Sequence, residues 1–297
     1  MQKLLVTFFV IFGIFHNCHA SQAESEKFVD TTYVAAERTV KLILDRLRPI
    51  LPAYAKKYAN FSNFSVVTAP DYGAYAQTST GQVVIPLGVV METRFIFWAY
   101  QDINDNLSLK QKFPQYLTYL ANRQQRMRAN NIEESLETFA QWNGHTQKAL
   151  SSSEQSERLN KDVGHLVDAL SFVVAHELAH LVLEHKDAST ISGSKSRQQE
   201  NDADLRAMRW IQEAGFDPIP ATQVLIRMGA EQVSPSNELI HYKTHVHPLC
   251  RLWLRFAPVI SKQRNDPAIN EGAIKAGFQS AADMAVQMTV FKEACVN

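Results

Sequence analysis

The chain has 297 residues, 45% of them hydrophobic, and its 30 Lys and Arg are matched by 30 Asp and Glu. That length holds one large domain or two small ones, with ample apolar material for a core. Zero net charge, with no basic stripe, glycine-rich phosphate loop or internal repeat, argues against a nucleic-acid partner.

The first stretch reads as a targeting signal. Lys3 supplies a positive charge, Leu4–Phe15 is apolar apart from Thr7 and Gly13, and Ala20 is a small residue before a cut, with Ala23 as a second candidate. The apolar run is short for a membrane span. Residues 1–20 are therefore expected to be a signal peptide and 21–297 a single domain, exported to the periplasm or secreted. Cys18 does not mark a lipid anchor, because His16 and Asn17 stand where that signal wants small residues. The mature chain keeps Cys250 and Cys295, and an oxidising compartment would let them pair. No later segment has the continuous apolar length of a span, so no stable membrane span is expected after signal removal.

Glu24–Tyr58 carries Val34, Val40, Ile43, Leu44 and Leu47 at helical spacing, ended by Pro49 and Pro52. Ser65–Ala69 and Gln82–Pro86 are short and β-branched, Gly73–Gln77 lies between them, and Ser79-Thr80-Gly81 reads as a turn. Together they predict a small sheet with a hairpin, followed by a helix opening at Gly88–Met91. Arg94–Lys161 is long, polar and helical in pattern, with a surface loop predicted at Ser151–Ser156. Two readings of this stretch are open: a peripheral helical subdomain, or a lid over a site elsewhere. Asp187–Arg197 reads as a polar loop, and Arg197–Ala214 as a helix closed by Gly215 and Pro218. Further helices are predicted at Pro218–Met228, Pro248–Lys262 and Pro267–Val296. The fold class is α+β, mainly helical.

The chemistry is concentrated in Ser171–His185, SFVVAHELAHLVLEH, on a helix predicted from about His165 to His185. His176 and His180 are four residues apart, so on a helix both imidazoles share one face and can grip one zinc ion. Glu177, beside the first, is placed to act as general base on a water at such an ion. Apolar residues surround this trio, which marks a buried helix. Burying the trio uncompensated would cost roughly several kcal/mol, and a metal ion supplies the compensation. His185, on a continuing helix, would be rotated off this face and is expected to be an ordinary surface residue.

A catalytic zinc site needs a third protein ligand and an open position. A third histidine ten residues after the first is absent, because position 186 is Lys. Glu200, twenty residues beyond His180, begins Glu-Asn-Asp-Ala-Asp on the next predicted helix, with Asp204 one turn later. Glu200 is the candidate third ligand. Asp204 is the candidate to orient a ligand histidine through its other ring nitrogen.

HELAH followed by ENDAD resembles the HExxH…ExxAD pair of the metallopeptidases that include HtpX, the CAAX-prenyl endopeptidases and the mitochondrial Oma-type proteases. Gly73–Ala76, Gly81, Val83–Ile85 and Gly88–Val90 are similar to that family's hairpin before the active site, with Gly73 in place of the usual Asn. His247-Pro248…Arg251 is similar to its HP…R segment, with the Arg arriving early. The similarity covers roughly residues 30–92 and 165–260; Arg94–Asp162 departs from it as a long helical insertion. The resemblance implies a gluzincin core and zinc-dependent cleavage of polypeptides, with His247 as donor to the oxyanion. Tyr242 and His245 are alternatives for that last role. The hairpin Tyr75–Ile85 could offer an edge strand to an extended peptide. The expected activity is an endopeptidase acting on unfolded or misassembled envelope proteins, in association with envelope assembly machinery. The alternative is a chaperone-like binder whose site is masked by the insertion.

Overall fold

The computed structural model of the chain describes residues 22–69, 72–130, 134, 136–144, 152–187 and 190–232. Helix α1, Gln22–Leu47, buries Ala36, Val40, Ile43, Leu44 and Leu47 along one stripe. It ends where the prolines lead one to expect, just before Pro49 and well short of Tyr58. Pro49 has no N–H to continue the ladder and disfavours a helical residue before it, so the chain passes through a 3-10 turn at Arg48–Ile50.

Strands β1 (Phe64–Val67), β2 (Tyr75–Gln77) and β3 (Gln82–Pro86) form one sheet in the order β1-β3-β2. β3 is central, parallel to β1 with Phe64 opposite Val83, and antiparallel to β2 with Tyr75 opposite Val84. The tight turn between β2 and β3 needs a left-handed residue, and Gly81 supplies it at φ +70. β2 is an edge strand with Tyr75 exposed. Pro86 then opens α2, Leu87–Asp105, followed by α3, Phe113–Asn130, and a short α4, Phe139–Trp142, closed at its start by a Thr138–Gln141 capping box.

Helix α5, Ser152–Val182, is the longest element among the described residues, at 31 residues. The loop predicted at Ser151–Ser156 is helix from Ser152 onward. Between Ser152 and Val182 there is no Pro and one Gly, Gly164, so the serines alone do not interrupt it. Helix α6, Gly193–Glu213, likewise starts inside the predicted loop at Asp187–Arg197, because the Ser192 hydroxyl accepts from the Lys195 N–H and caps it. Helix α7, Pro218–Gln232, places Pro where the missing N–H is harmless, and Asp217 Oδ1 accepts from the Ile219 N–H at 3.0 Å.

The main core joins α1, the sheet, α5, α6 and α7. A second core gathers α2, α3 and α4 around Tyr116, Leu117, Leu120 and Phe139, and Ile226 of α7 completes it. A buried ionic cluster ties the same helices: Arg227 Nε lies 2.7 Å from Glu92 Oε2, Arg123 Nη1 lies 3.5 Å from Glu92 Oε1, and Arg227 Nη2 donates to Leu120 O at 3.1 Å. Asp162 accepts from Arg94 Nε at 3.1 Å and from Trp98 Nε1 at 2.9 Å, tying α2 to α5. Among the described residues one segment, Asp162–Val182, is long and apolar enough to cross a membrane, and 78% of its most apolar window is buried inside the protein. Packing against α1, α6 and α7 accounts for that composition.

His165 of α5 stacks on Phe97 with ring centroids 3.8 Å apart, and its Nε2 lies 2.9 Å from Gln223 Oε1 of α7. Burial lowers its pKa from 6.5 to about 4, against a smaller opposing effect of the Gln223 bond. The unfolded chain therefore binds the proton first as pH falls, and stability is lost from pH 6.5 down to about 4. This residue alone accounts for at most about 3 kcal/mol of that loss. Urea midpoints at pH 7.5 and 4.5 should differ less for His165→Phe than for the native chain; an equal difference would remove His165 from the account.

Candidate metal centre

The site is built where α6 crosses α5. His176 and His180 are one turn apart on α5, and Glu200 and Asp204 one turn apart on α6. Each helix fully buries two alanines a turn apart beside these residues, Ala175 and Ala179 on α5 and Ala203 and Ala207 on α6.

His176 Nε2 and His180 Nε2 are 3.1 Å apart. Glu200 Oε2 lies 3.3 Å from His176 Nε2, and Glu200 Oε1 lies 3.5 Å from His180 Nε2. Donors held about 2.0–2.1 Å from a tetrahedral first-row ion lie about 3.3 Å from one another, the edge length of that tetrahedron. The separation of the two imidazole nitrogens and their nearest approaches to the carboxylate are close to this edge, with each imidazole nearest a different oxygen of Glu200. Among the described residues, His176, His180 and Glu200 are the group whose donor atoms converge in this way.

The tautomers follow from the outer contacts. Asp204 Oδ1 is 2.9 Å from His176 Nδ1, so that nitrogen carries the proton and Nε2 directs its lone pair at the convergence point. Asp204 is only 1% exposed, and His176, Glu177 and Glu200 are all buried. Glu177 lines the same cavity as the three converging donors.

His185 is not the surface residue the sequence suggests. α5 stops at Val182, and Glu184 takes the left-handed conformation at φ 55. The His185 N–H then donates to His180 O at 3.0 Å and the Glu184 N–H to Leu181 O at 3.3 Å, the paired bonds of a Schellman turn. Such a turn folds the second residue past the helix back over its last full turn. Here that lays the His185 ring edge-on against His180, with the two Nδ1 atoms 3.0 Å apart. Burial lowers the His185 pKa, opposed by Asp202 and Glu200 and reinforced by His176. Gln199, next to Glu200, grips the following residue with both amide atoms: Lys186 N–H donates to Oε1 at 3.0 Å and Nε2 donates to Lys186 O at 2.8 Å.

Besides the polar residues, two groups line the cavity over this site. One is the segment Tyr72–Ala76 and Thr78 along the β2 edge; the other is apolar, with Val89, Phe172, Val173, Val224, Leu225 and Met228. The α7 wall was not read from the sequence, where Val224, Leu225 and Met228 look like ordinary core positions. No described residue of 94–162 lines this cavity. His247, Tyr242, His245, Cys250, Cys295, the predicted helices Pro248–Lys262 and Pro267–Val296, and the predicted signal 1–20 all lie outside the described residues.

Residues 95–221 match the family described as Peptidase U49. The match supports a peptidase. It runs from α2 into α7 and contains His176, Glu177, His180, Glu200 and Asp204, together with the long helical stretch before them. Comparison with curated proteins and with solved structures gave no match.

A Glu held in the left-handed region is strained by about 1 kcal/mol relative to Gly. Glu184→Gly should therefore raise unfolding stability by about that amount, read from urea denaturation, and leave the His180–His185 contact in place. A destabilised variant would show that the Glu184 side chain contributes more than its backbone strain removes.

Proposed function

We propose that the chain is a zinc-dependent endopeptidase. The observation that carries this reading is the convergence of two imidazoles and one carboxylate, whose nearest atoms lie 3.1–3.5 Å apart, in a cavity that Glu177 also lines. Two histidines and a glutamate form a donor set typical of catalytic zinc, leaving a fourth position open. Zinc held by His176, His180 and Glu200 would supply Lewis-acid polarisation of the scissile carbonyl and a water acidified to a pKa of about 7.

The protein's own groups do the rest. Glu177 accepts the proton of the attacking water and passes it to the departing amine, a general base and then a general acid. Asp204 holds the His176 ring in the orientation that keeps its Nε2 lone pair inward. The β2 edge has β3 on one side and no strand on the other among the described residues, so it suits an extended polypeptide aligned by main-chain bonds. The apolar wall from Phe172 to Met228 would receive a large apolar side chain of that polypeptide. Main-chain alignment with one apolar pocket favours unfolded or misassembled substrates over a fixed motif. The apolar run after Lys3 supports export, which would set this activity in the cell envelope beside its assembly machinery. His247 remains our candidate oxyanion donor on the resemblance alone.

Glu177→Gln should keep one zinc per chain and lower the rate of casein digestion by about 10²–10⁴-fold, the usual worth of a general base. Undiminished digestion would remove Glu177 from the mechanism. Glu200→Ala should lose zinc together with activity. Elemental analysis that still finds one zinc per chain would show that the third ligand is another group, and activity indifferent to chelators would overturn the metal reading.

A further inference from the structure

Each of the two site histidines on α5 has a partner on its outer nitrogen, but the partners differ in kind. His176 Nδ1 faces the Asp204 carboxylate at 2.9 Å, whereas His180 Nδ1 faces the Nδ1 of another imidazole at 3.0 Å. Two ring nitrogens at that distance share one proton: one donates and the other accepts. If His180 Nε2 gives its lone pair to a cation, Nδ1 of the same neutral ring carries the proton. The acceptor is then His185 Nδ1, and His185 holds its own proton on Nε2.

From this geometry we infer that His185 is a positioning residue for the metal centre, accepting the His180 Nδ1 proton and so fixing that ring's orientation and tautomer. The inference rests on the metal reading above. Three features hold His185 in place. The left-handed Glu184 turns the chain, the His185 N–H is bonded to His180 O at 3.0 Å, and the Gln199 amide pins Lys186 from α6. Gln199 adjoins Glu200, so the clamp that fixes His185 starts one residue from the carboxylate in the donor set. A neutral partner also suits the local charge. Glu177, Glu200 and Asp204 already crowd the site with carboxylates, and an acidic residue at 185 would add a fourth.

The test compares zinc affinity of the full chain and two variants by competition with a chromophoric chelator. His185→Phe keeps the ring's bulk without an acceptor; His185→Asn keeps an acceptor oxygen. The native chain should bind one zinc, the Phe variant about 10–100-fold more weakly, and the Asn variant within a few-fold of native. Equal affinity of the native chain and the Phe variant overturns the positioning role and leaves the metal reading standing. Equal weakening in both variants also overturns it, because packing rather than the hydrogen bond would then be at work. A native chain that binds no zinc overturns both. Should the Phe variant fail to fold, nitrogen-15 spectra of the zinc-loaded native chain decide. The proton on His180 Nδ1 and on His185 Nε2 is the expected result, and the reverse tautomer for His185 overturns the role.

Discussion

The structure depends on one crossing, that of α6 over α5, which brings the Glu200 carboxylate within 3.5 Å of two imidazole nitrogens. Polar groups of this kind, buried and mutually close, are costly unless each finds compensation. The compensation is arranged in shells. Asp204 takes the outer nitrogen of one imidazole and His185 that of the other, while the inner nitrogens and Glu200 converge on a common point.

The second core has an indirect bearing on the same cavity. α7 lends Val224, Leu225 and Met228 to the apolar wall, and its next residues, Ile226 and Arg227, face the other way into α2 and α3. Arg227 is fully buried, paired with Glu92, and lies over the Tyr72 ring, itself a lining residue. Removing one partner of such a buried pair leaves an uncompensated charge and costs about 3–5 kcal/mol. The helices between residues 94 and 130 thus brace the groove from behind. They add no wall to it among the described residues.

Much of the centre was legible in the sequence because helical periodicity converts spacing into direction. His176 and His180 had to share a face, and so did Glu200 and Asp204; the mainly helical α+β class and the hairpin followed from the same kind of reading. The misreadings occurred where chain direction changes without a marker. The serine-rich segment 151–156 reads as a loop but is helix from Ser152, and the loop at 187–197 is real only up to Ser192, which caps α6, because serine is only mildly unfavourable in a helix. A continuing helix would carry His185 off the histidine face, and the left-handed Glu184 after Val182 is what turns it back. A Gly at 184 would have announced the left-handed turn, and Glu gives no such signal. The α7 wall was hidden for a different reason: apolar residues facing a groove and apolar residues facing a core have the same periodicity.

The hydropathy of α5 and its chemistry have a common origin. A helix packed by α1, α6 and α7 must be apolar on most faces, which is why Asp162–Val182 passes for a membrane span by composition. The same enclosure leaves His176, Glu177 and Glu200 little exposed, facing the cavity alone, and so strengthens the electrostatic interactions among them. A polar trio in such a helix is tolerable only if neighbours supply charge and hydrogen bonds at fixed positions. α6 supplies them at one edge and the turn after Val182 at the other. A more exposed helix would need neither neighbour.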